Sequence, residues 1–157
     1  MYRISVLLSA LLVLFLAVHS ASAVTPSGAI ALELLGGTVG GVVGAGLGIV
    51  AIGSIAPNLE ARAARVATVI AGVTLGGGLG ATAGVLATGK ILGVEGGIAG
   101  CLLGGLAGGL ASAFVEPLLY SIGIPEEVTE FLGFVLLPIA PAIGATIGFN
   151  WSRSSPD

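Results

Sequence analysis

Hydrophobic residues form four long runs along the chain, and short polar stretches separate them. The runs cover about residues 29–55, 63–87, 91–115 and 128–149. Each is long enough to cross the roughly 30 Å of hydrocarbon in a bilayer. They are continuously apolar and lack the alternation of polar and apolar positions that transmembrane β-strands require. The pattern therefore predicts an all-α fold, a polytopic bundle of four transmembrane helices.

Glycine recurs at every fourth position inside three of these runs. On a helix with about 3.6 residues per turn, this spacing places glycine along one stripe. Glycine in a helix interior costs about 1 kcal/mol relative to alanine in water, whereas small residues between membrane helices let two backbones approach closely. The spacing therefore predicts helix packing through Gly36, Gly40, Gly44, Gly48, Gly72, Gly76, Gly80, Gly84, Gly96, Gly100, Gly104 and Gly108.

These stripes resemble those of the glycine-zipper membrane proteins of bacterial envelopes, whose helical hairpins carry glycine at the same spacing. The resemblance covers the repeats and is one of pattern. It implies association with the cell envelope and self-assembly, with no catalytic residues to carry over. Two uses of the stripes stay open. They pack helices within one four-helix bundle, or they build a homo-oligomer or a pore.

The glycine stripes also suggest an internal repeat. A shift of 60 residues lays Gly36 over Gly96, whereas the second and fourth runs align at a shift of 64, with Gly80 over Gly144. One interpretation is that a helical hairpin was duplicated, a common way to build membrane folds. The other is that any two glycine stripes can be aligned.

Residues 1–23 have the organisation of an export signal. One positive charge precedes an apolar run, and the small residues Ala21 and Ala23 match a signal-peptidase site. Cleavage there would remove His19, the only histidine of the chain. We expect residues 24–157 to form one transmembrane domain in the cytoplasmic (inner) membrane. The alternative is that the segment is retained as a fifth span.

The connections between the runs indicate topology. Arg62 and Arg65 make the first connection the densest positive site after residue 23, which predicts that this connection is cytoplasmic. Residues 88–90 then form a tight turn on the outer side. The third run is predicted to stop at Pro117. The acidic side chains that follow Pro125 are predicted to form the first turn of the last helix, where carboxylates are favoured by the helix dipole.

Composition narrows the classes of function. Charged residues make up 8% of the chain, against roughly a quarter in soluble domains. The net charge is −3 and no basic cluster is present, so we expect a lipid bilayer and no nucleic acid as partner. The sequence indicates no particular protein partner. A single cysteine, Cys101, excludes an intrachain disulfide. With no catalytic, phosphate-binding or metal-ligand motif, we expect no enzyme, cofactor or metal.

Glu33 and Glu95 are the candidate ion-handling residues, near the outer ends of the first and third runs. Ionisable groups at membrane depth suggest ion or proton pathways. However, the helix dipole also favours a carboxylate near the start of a helix, whether or not that carboxylate has a function. Pro138 and Pro141 are expected to kink or break the fourth helix. We therefore predict an integral membrane protein of structural or assembly type. The alternative is a small channel or transporter that uses Glu33 and Glu95.

Overall fold

A computed structural model describes residues 26–55, 67–68 and 70–151. The export signal predicted at residues 1–23 and the arginine-containing first connection lie outside the described residues. Every regular element in the described part is helical. The elements are α1 (Pro26–Ile55), a π-helical turn (Val73–Gly77), α2 (Gly78–Ile91), α3 (Ile98–Ser121) and α4 (Glu126–Trp151).

Four helical segments are long and apolar enough to cross a membrane, which confirms the prediction of an all-α chain with four such segments. Their mean hydropathy is 1.5 to 1.9, and the second segment joins the π-helical turn to α2. Large apolar side chains such as Leu47, Leu103 and Phe131 are exposed on the outside. Lipid tails solvate such side chains, whereas in water so much exposed apolar surface would drive association. The segments cover Pro26–Ser54, Ile70–Ile91, Ile98–Ser121 and Glu126–Trp151.

The turn expected at residues 88–90 lies further along the chain. These residues belong to α2, and the chain reverses at Gly93, which has a φ of 66°. The Val94 amide donates to the Gly89 carbonyl (2.8 Å) and the Gly93 amide to the Lys90 carbonyl (3.2 Å). This is the Schellman arrangement, which ends a helix at a left-handed glycine. The polar character of residues 88–90 was therefore misleading, because the helix continues through Gly89 and the left-handed residue that ends it is Gly93.

Prolines do not end the helices that contain them. Pro117 lies inside α3, which continues to Ser121, and Pro138 and Pro141 lie inside α4. The stop of α3 is instead Gly123, with a φ of 81° and the same pair of Schellman hydrogen bonds. The prediction that α3 stops at Pro117 was therefore wrong. Helix α4 runs as one element across both of its prolines and begins at Glu126, as predicted.

The first two membrane-length segments form an antiparallel pair in which the backbones nearly touch. A Cβ added at Gly40 would overlap the carbonyl oxygen of Gly80, and a Cβ added at Gly80 would overlap the carbonyl oxygen of Gly40. Only glycine fits at this separation, because any other residue would push the two helices apart. The facing pairs are Gly36–Gly84, Gly40–Gly80, Gly44–Gly76 and Gly48–Gly72.

Helices α3 and α4 form a second antiparallel pair of the same kind. Here Gly100 faces Gly148 and Gly104 faces Gly144, each within overlap distance of the opposite carbonyl oxygen, and Gly108 faces Ala140. Gly96 departs from the predicted stripe, since it precedes α3 and lies against Phe149 of α4.

A single shift of 64 residues relates the two pairs. It moves Gly36–Gly84 onto Gly100–Gly148 and Gly40–Gly80 onto Gly104–Gly144. The 60-residue shift that best aligns the glycines in sequence does not preserve these pairs. The 64-residue shift also lays the π-helical turn over residues 137–141, the proline-containing turn of α4. Both pairs therefore depart from regular α-helical bonding at the same level.

Helices α1 and α4 bring the two pairs together around a small core. Cβ atoms added at Gly41 and Gly37 would lie 3.2 Å from the Pro138 carbonyl oxygen and 3.1 Å from the Ala142 Cβ, respectively. The apolar core between the pairs consists of Ala81, Val85, Cys101, Ala142, Ala145 and Phe149. Most of these residues are small, so the interior is filled because the helix backbones lie close together rather than by bulky side chains.

Candidate functional site

One carboxylate lies inside the bundle. Glu33 is on the second turn of α1 and is 0% exposed. Its Oε2 accepts a hydrogen bond of 2.6 Å from the Nδ2 of Asn150, near the end of α4. The same Nδ2 also donates to the carbonyl oxygen of Thr146, at 2.8 Å. A hydrogen bond to a charged acceptor is stronger than one between neutral groups, so this contact links the N-terminal part of α1 to the C-terminal end of α4.

The register of α1 against α4 places a third polar side chain at this site. Gly41 lies against Pro138 and Gly37 against Ala142, so each step of four residues along α1 matches four residues back along α4. One further step brings Glu33 level with Thr146. Asn150 follows Thr146 by one turn and lies on the same face of α4.

Two oxygen atoms of this cluster are buried without a hydrogen-bond partner. They are the Oγ1 of Thr146 and the Oδ1 of Asn150. Thr146 is 6% exposed. Buried polar atoms are almost always hydrogen-bonded in folded proteins, so two such atoms on the two α4 residues nearest to Glu33 in register mark this cluster as the chemically unusual part of the bundle. We call Glu33, Thr146 and Asn150 the polar cluster.

The remaining buried hydroxyls are satisfied by backbone carbonyls. Thr82 donates to the Gly78 carbonyl at 2.8 Å, Thr88 to that of Gly84 at 2.8 Å, and Ser112 to that of Gly109 at 2.8 Å. Such bonds to a carbonyl of the preceding turn let a hydroxyl enter an apolar interior at little cost. The contrast singles out Thr146, whose hydroxyl has no such bond.

The connection between α2 and α3 closes the bundle beside the polar cluster. The Gly97 amide donates to the Phe149 carbonyl at 3.0 Å, and the Phe149 ring is 3% exposed. A Cβ added at Gly89 would lie 2.6 Å from this ring. Phe149 therefore seals the core directly before Asn150, which is only partly buried.

Glu95, the second candidate residue, has a different environment from Glu33. It lies in the connection before α3 rather than in the first turn of a helix, and it is exposed. Together with Lys90 and Phe149 it lines an open recess of about 560 Å³. The structure therefore buries one of the two predicted carboxylates in the bundle and leaves the other at its surface.

A groove runs along the outer side of the α3–α4 pair. It has a volume of about 790 Å³ and is lined almost entirely by small or aliphatic residues. The close approach of the two backbones creates it, because glycine leaves no side chain to fill the outer edge of the contact. Its lining includes Gly100, Gly104, Ala107, Ala111, Ile143 and Trp151.

Comparison with models of protein families, with curated proteins and with solved structures gave no match. In the described part of the chain, no group of three histidine, cysteine, aspartate or glutamate side chains could hold a metal ion. Sequence reasoning had singled out Glu33 but not Asn150 or Thr146. The spacing of four residues between these two, at the end of a long apolar run, was the available signal.

Proposed function

We propose that this chain is an integral membrane protein of structural or assembly type, whose four helices pack through glycine zippers. The observation that carries the proposal is the reciprocal fit of Gly40 with Gly80 and of Gly104 with Gly144, where a Cβ on either side would overlap the opposite carbonyl oxygen. Such contacts combine van der Waals packing with close approach of Cα–H groups to carbonyl oxygens. These contacts favour helix association in lipid, where no hydrophobic effect drives one apolar helix onto another.

The facing glycines support use of the zippers within one copy of the chain. Each of the four paired positions of the first segment is matched by glycine in the second, and three glycines of α3 are matched by residues of α4. Inner surfaces that are already occupied cannot hold a second copy. Self-association would therefore use an outer surface, and the α3–α4 groove is an outer surface at which glycine leaves the backbone accessible.

A leucine at Ala107 tests whether copies associate through this groove. Ala107 lines the groove and its side chain is accessible from outside, so the larger side chain fills the groove without entering the bundle. We expect Ala107→Leu to reduce cross-linked oligomers in liposomes at least tenfold. The buried Cys101 thiol should stay as slow to react with maleimide as in the parent chain.

The matched control is Ala83→Leu, the same substitution at an exposed position of α2 outside the groove. It should leave the oligomers unchanged. Equal oligomer yields from the parent, Ala107→Leu and Ala83→Leu would contradict association through the groove, and a monomeric parent chain would contradict self-association altogether.

The second candidate function is a small channel or transporter, and the full burial of Glu33 favours it. Buried ionisable groups in membrane segments often belong to ion or proton pathways. The exposed Glu95 lies at the connection beside α3, where it would meet ions before they reach the interior. In a channel or transporter, Glu95 would therefore contact ions at the surface, and Glu33 would contact them inside the bundle.

Ion flux in liposomes separates the two candidates. For a structural role we expect sodium, potassium and proton flux at the level of protein-free liposomes. A channel or transporter would raise flux above that level, and Glu33→Gln would abolish the increase, whereas Glu95→Gln would reduce it only partly. A flux that survives Glu33→Gln would contradict transport through Glu33.

A further inference from the structure

The polar cluster has the composition of a cation site. The Glu33 carboxylate, the Thr146 hydroxyl and the Asn150 amide contribute oxygen atoms, which are the ligands that hard cations prefer. Two of these oxygens are buried without a hydrogen-bond partner. A buried hydroxyl with no partner is costly, and a cation bound at the Thr146 oxygen lowers that cost.

We infer that Glu33, Thr146 and Asn150 bind a small monovalent cation such as Na⁺. The register of α1 against α4 sets Glu33 level with Thr146, and Asn150 already contacts Glu33. A half-turn of the Asn150 amide exchanges its nitrogen for Oδ1, which turns the present hydrogen bond into a second oxygen ligand. Water completes the coordination from the partly exposed side of Asn150.

The charge of the polar cluster favours a monovalent cation over a divalent one. Glu33 is its only carboxylate, and the Thr146 hydroxyl and the Asn150 amide are neutral ligands, a set with fewer charges than divalent-ion sites usually have. A divalent ion would leave an excess positive charge in an apolar interior, where uncompensated charge is expensive.

The position of the cluster gives an ion access from one end of the bundle only. Asn150 lies one residue before the end of α4 and is partly exposed, while Glu33 and Thr146 are buried beneath it. Below them Ala142 and Gly37 pack closely together. A bound ion would therefore join α1 to α4 as a fixed structural element, and the inference does not depend on transport or on self-association.

The test is the thermal stability of the full chain in a non-ionic detergent. Unfolding is followed by maleimide labelling of Cys101, the only cysteine, which is fully buried. Midpoints are compared in NaCl and in N-methylglucamine chloride at the same ionic strength and pH. Because a ligand that binds only the folded state stabilises it, we expect saturating Na⁺ to raise the midpoint by about 5 °C.

The variants assign this shift to the cluster. Thr146→Val keeps the shape of the side chain and removes one ligand, so it should lower the apparent Na⁺ affinity at least tenfold. Glu33→Gln should abolish the Na⁺-specific shift. Glu95→Gln, which neutralises an exposed carboxylate at the same end of the bundle, should keep it. If Glu33→Gln does not fold, Thr146→Val still decides the assignment.

Three results would overturn the inference. One is an equal midpoint in Na⁺ and N-methylglucamine. Another is a Na⁺ shift that survives both Glu33→Gln and Thr146→Val. The third is a midpoint that responds to pH but not to Na⁺, which would make the cluster a proton site. Na⁺ binding in detergent is measured without ion flux or oligomer formation. The result can therefore contradict the cation site without contradicting the proposed function, and the reverse also holds.

Discussion

Gly40→Ala is expected to destabilise the bundle by about 3 kcal/mol, the upper part of the range for overpacking a tight contact. The added Cβ overlaps the Gly80 carbonyl oxygen and lies 3.2 Å from the Cα of Gly84. Because both obstacles are backbone atoms, no side-chain rotation relieves the clash, and α1 must move away from the second segment. That movement loosens the neighbouring glycine pairs as well. Gly40→Leu should prevent the native pairing altogether.

The measurement is the rate of maleimide labelling of Cys101 during titration with denaturing detergent. The matched control is Gly46→Ala, because a Cβ at Gly46 meets nothing within 4 Å. This control makes the same chemical change on the same helix without a contact, so its midpoint should equal or exceed that of the parent. If Gly40→Ala and Gly46→Ala gave the same midpoint, the close backbone approach would not hold the helices together.

Asn150→Ala is expected to cost about 2 kcal/mol, typical of losing a hydrogen bond to a buried charged group. Asn150 donates to the Glu33 carboxylate and to the Thr146 carbonyl through one nitrogen. Its removal takes both bonds away, while the buried carboxylate stays in place. The same labelling of Cys101 measures the cost, in buffer free of Na⁺ so that ion binding does not contribute.

A double-mutant cycle with Glu33→Gln tests the origin of that cost. The neutral amide that this substitution introduces needs a donor less than a carboxylate does, so Asn150→Ala should cost about 1 kcal/mol less in the Glu33→Gln background. Strictly additive costs would mean that the carboxylate does not depend on Asn150. Glu95→Gln should change stability by less than about 0.5 kcal/mol, as exposed substitutions usually do.

Local sequence pattern was sufficient to predict the helices but not their ends. The continuous apolar runs indicated four membrane-length segments, because hydropathy over about twenty residues reflects a property of the segment alone. The C-terminal ends of α2 and α3 are set by Gly93 and Gly123, which have a positive φ. The polarity of the neighbouring residues does not indicate which glycine adopts this backbone conformation. Residues 88–90 and Pro117 looked like breaks, although helices can continue through both.

The polar cluster shows why the site was only partly predictable. Glu33 was recognisable as a lone carboxylate near an apolar run. Its partner Asn150 lies 117 residues away, and nothing local to either residue indicates the other. Their meeting follows from the register of α1 against α4, which depends on how Gly37 and Gly41 approach Ala142 and Pro138. Glu95 looked equivalent in sequence, yet the helix began three residues after it.

The 64-residue relation between the two helix pairs has a consequence for how such a chain could have arisen. Each pair contains two membrane-length segments, so a duplicated pair that inserts in a membrane begins on the same side as the original. The second copy can then insert in the same orientation, without any change in the distribution of its basic residues. Units with an odd number of crossings face the opposite requirement, since their duplicates must insert inverted. A gene encoding one helical pair could therefore double in a single step and keep both copies correctly oriented.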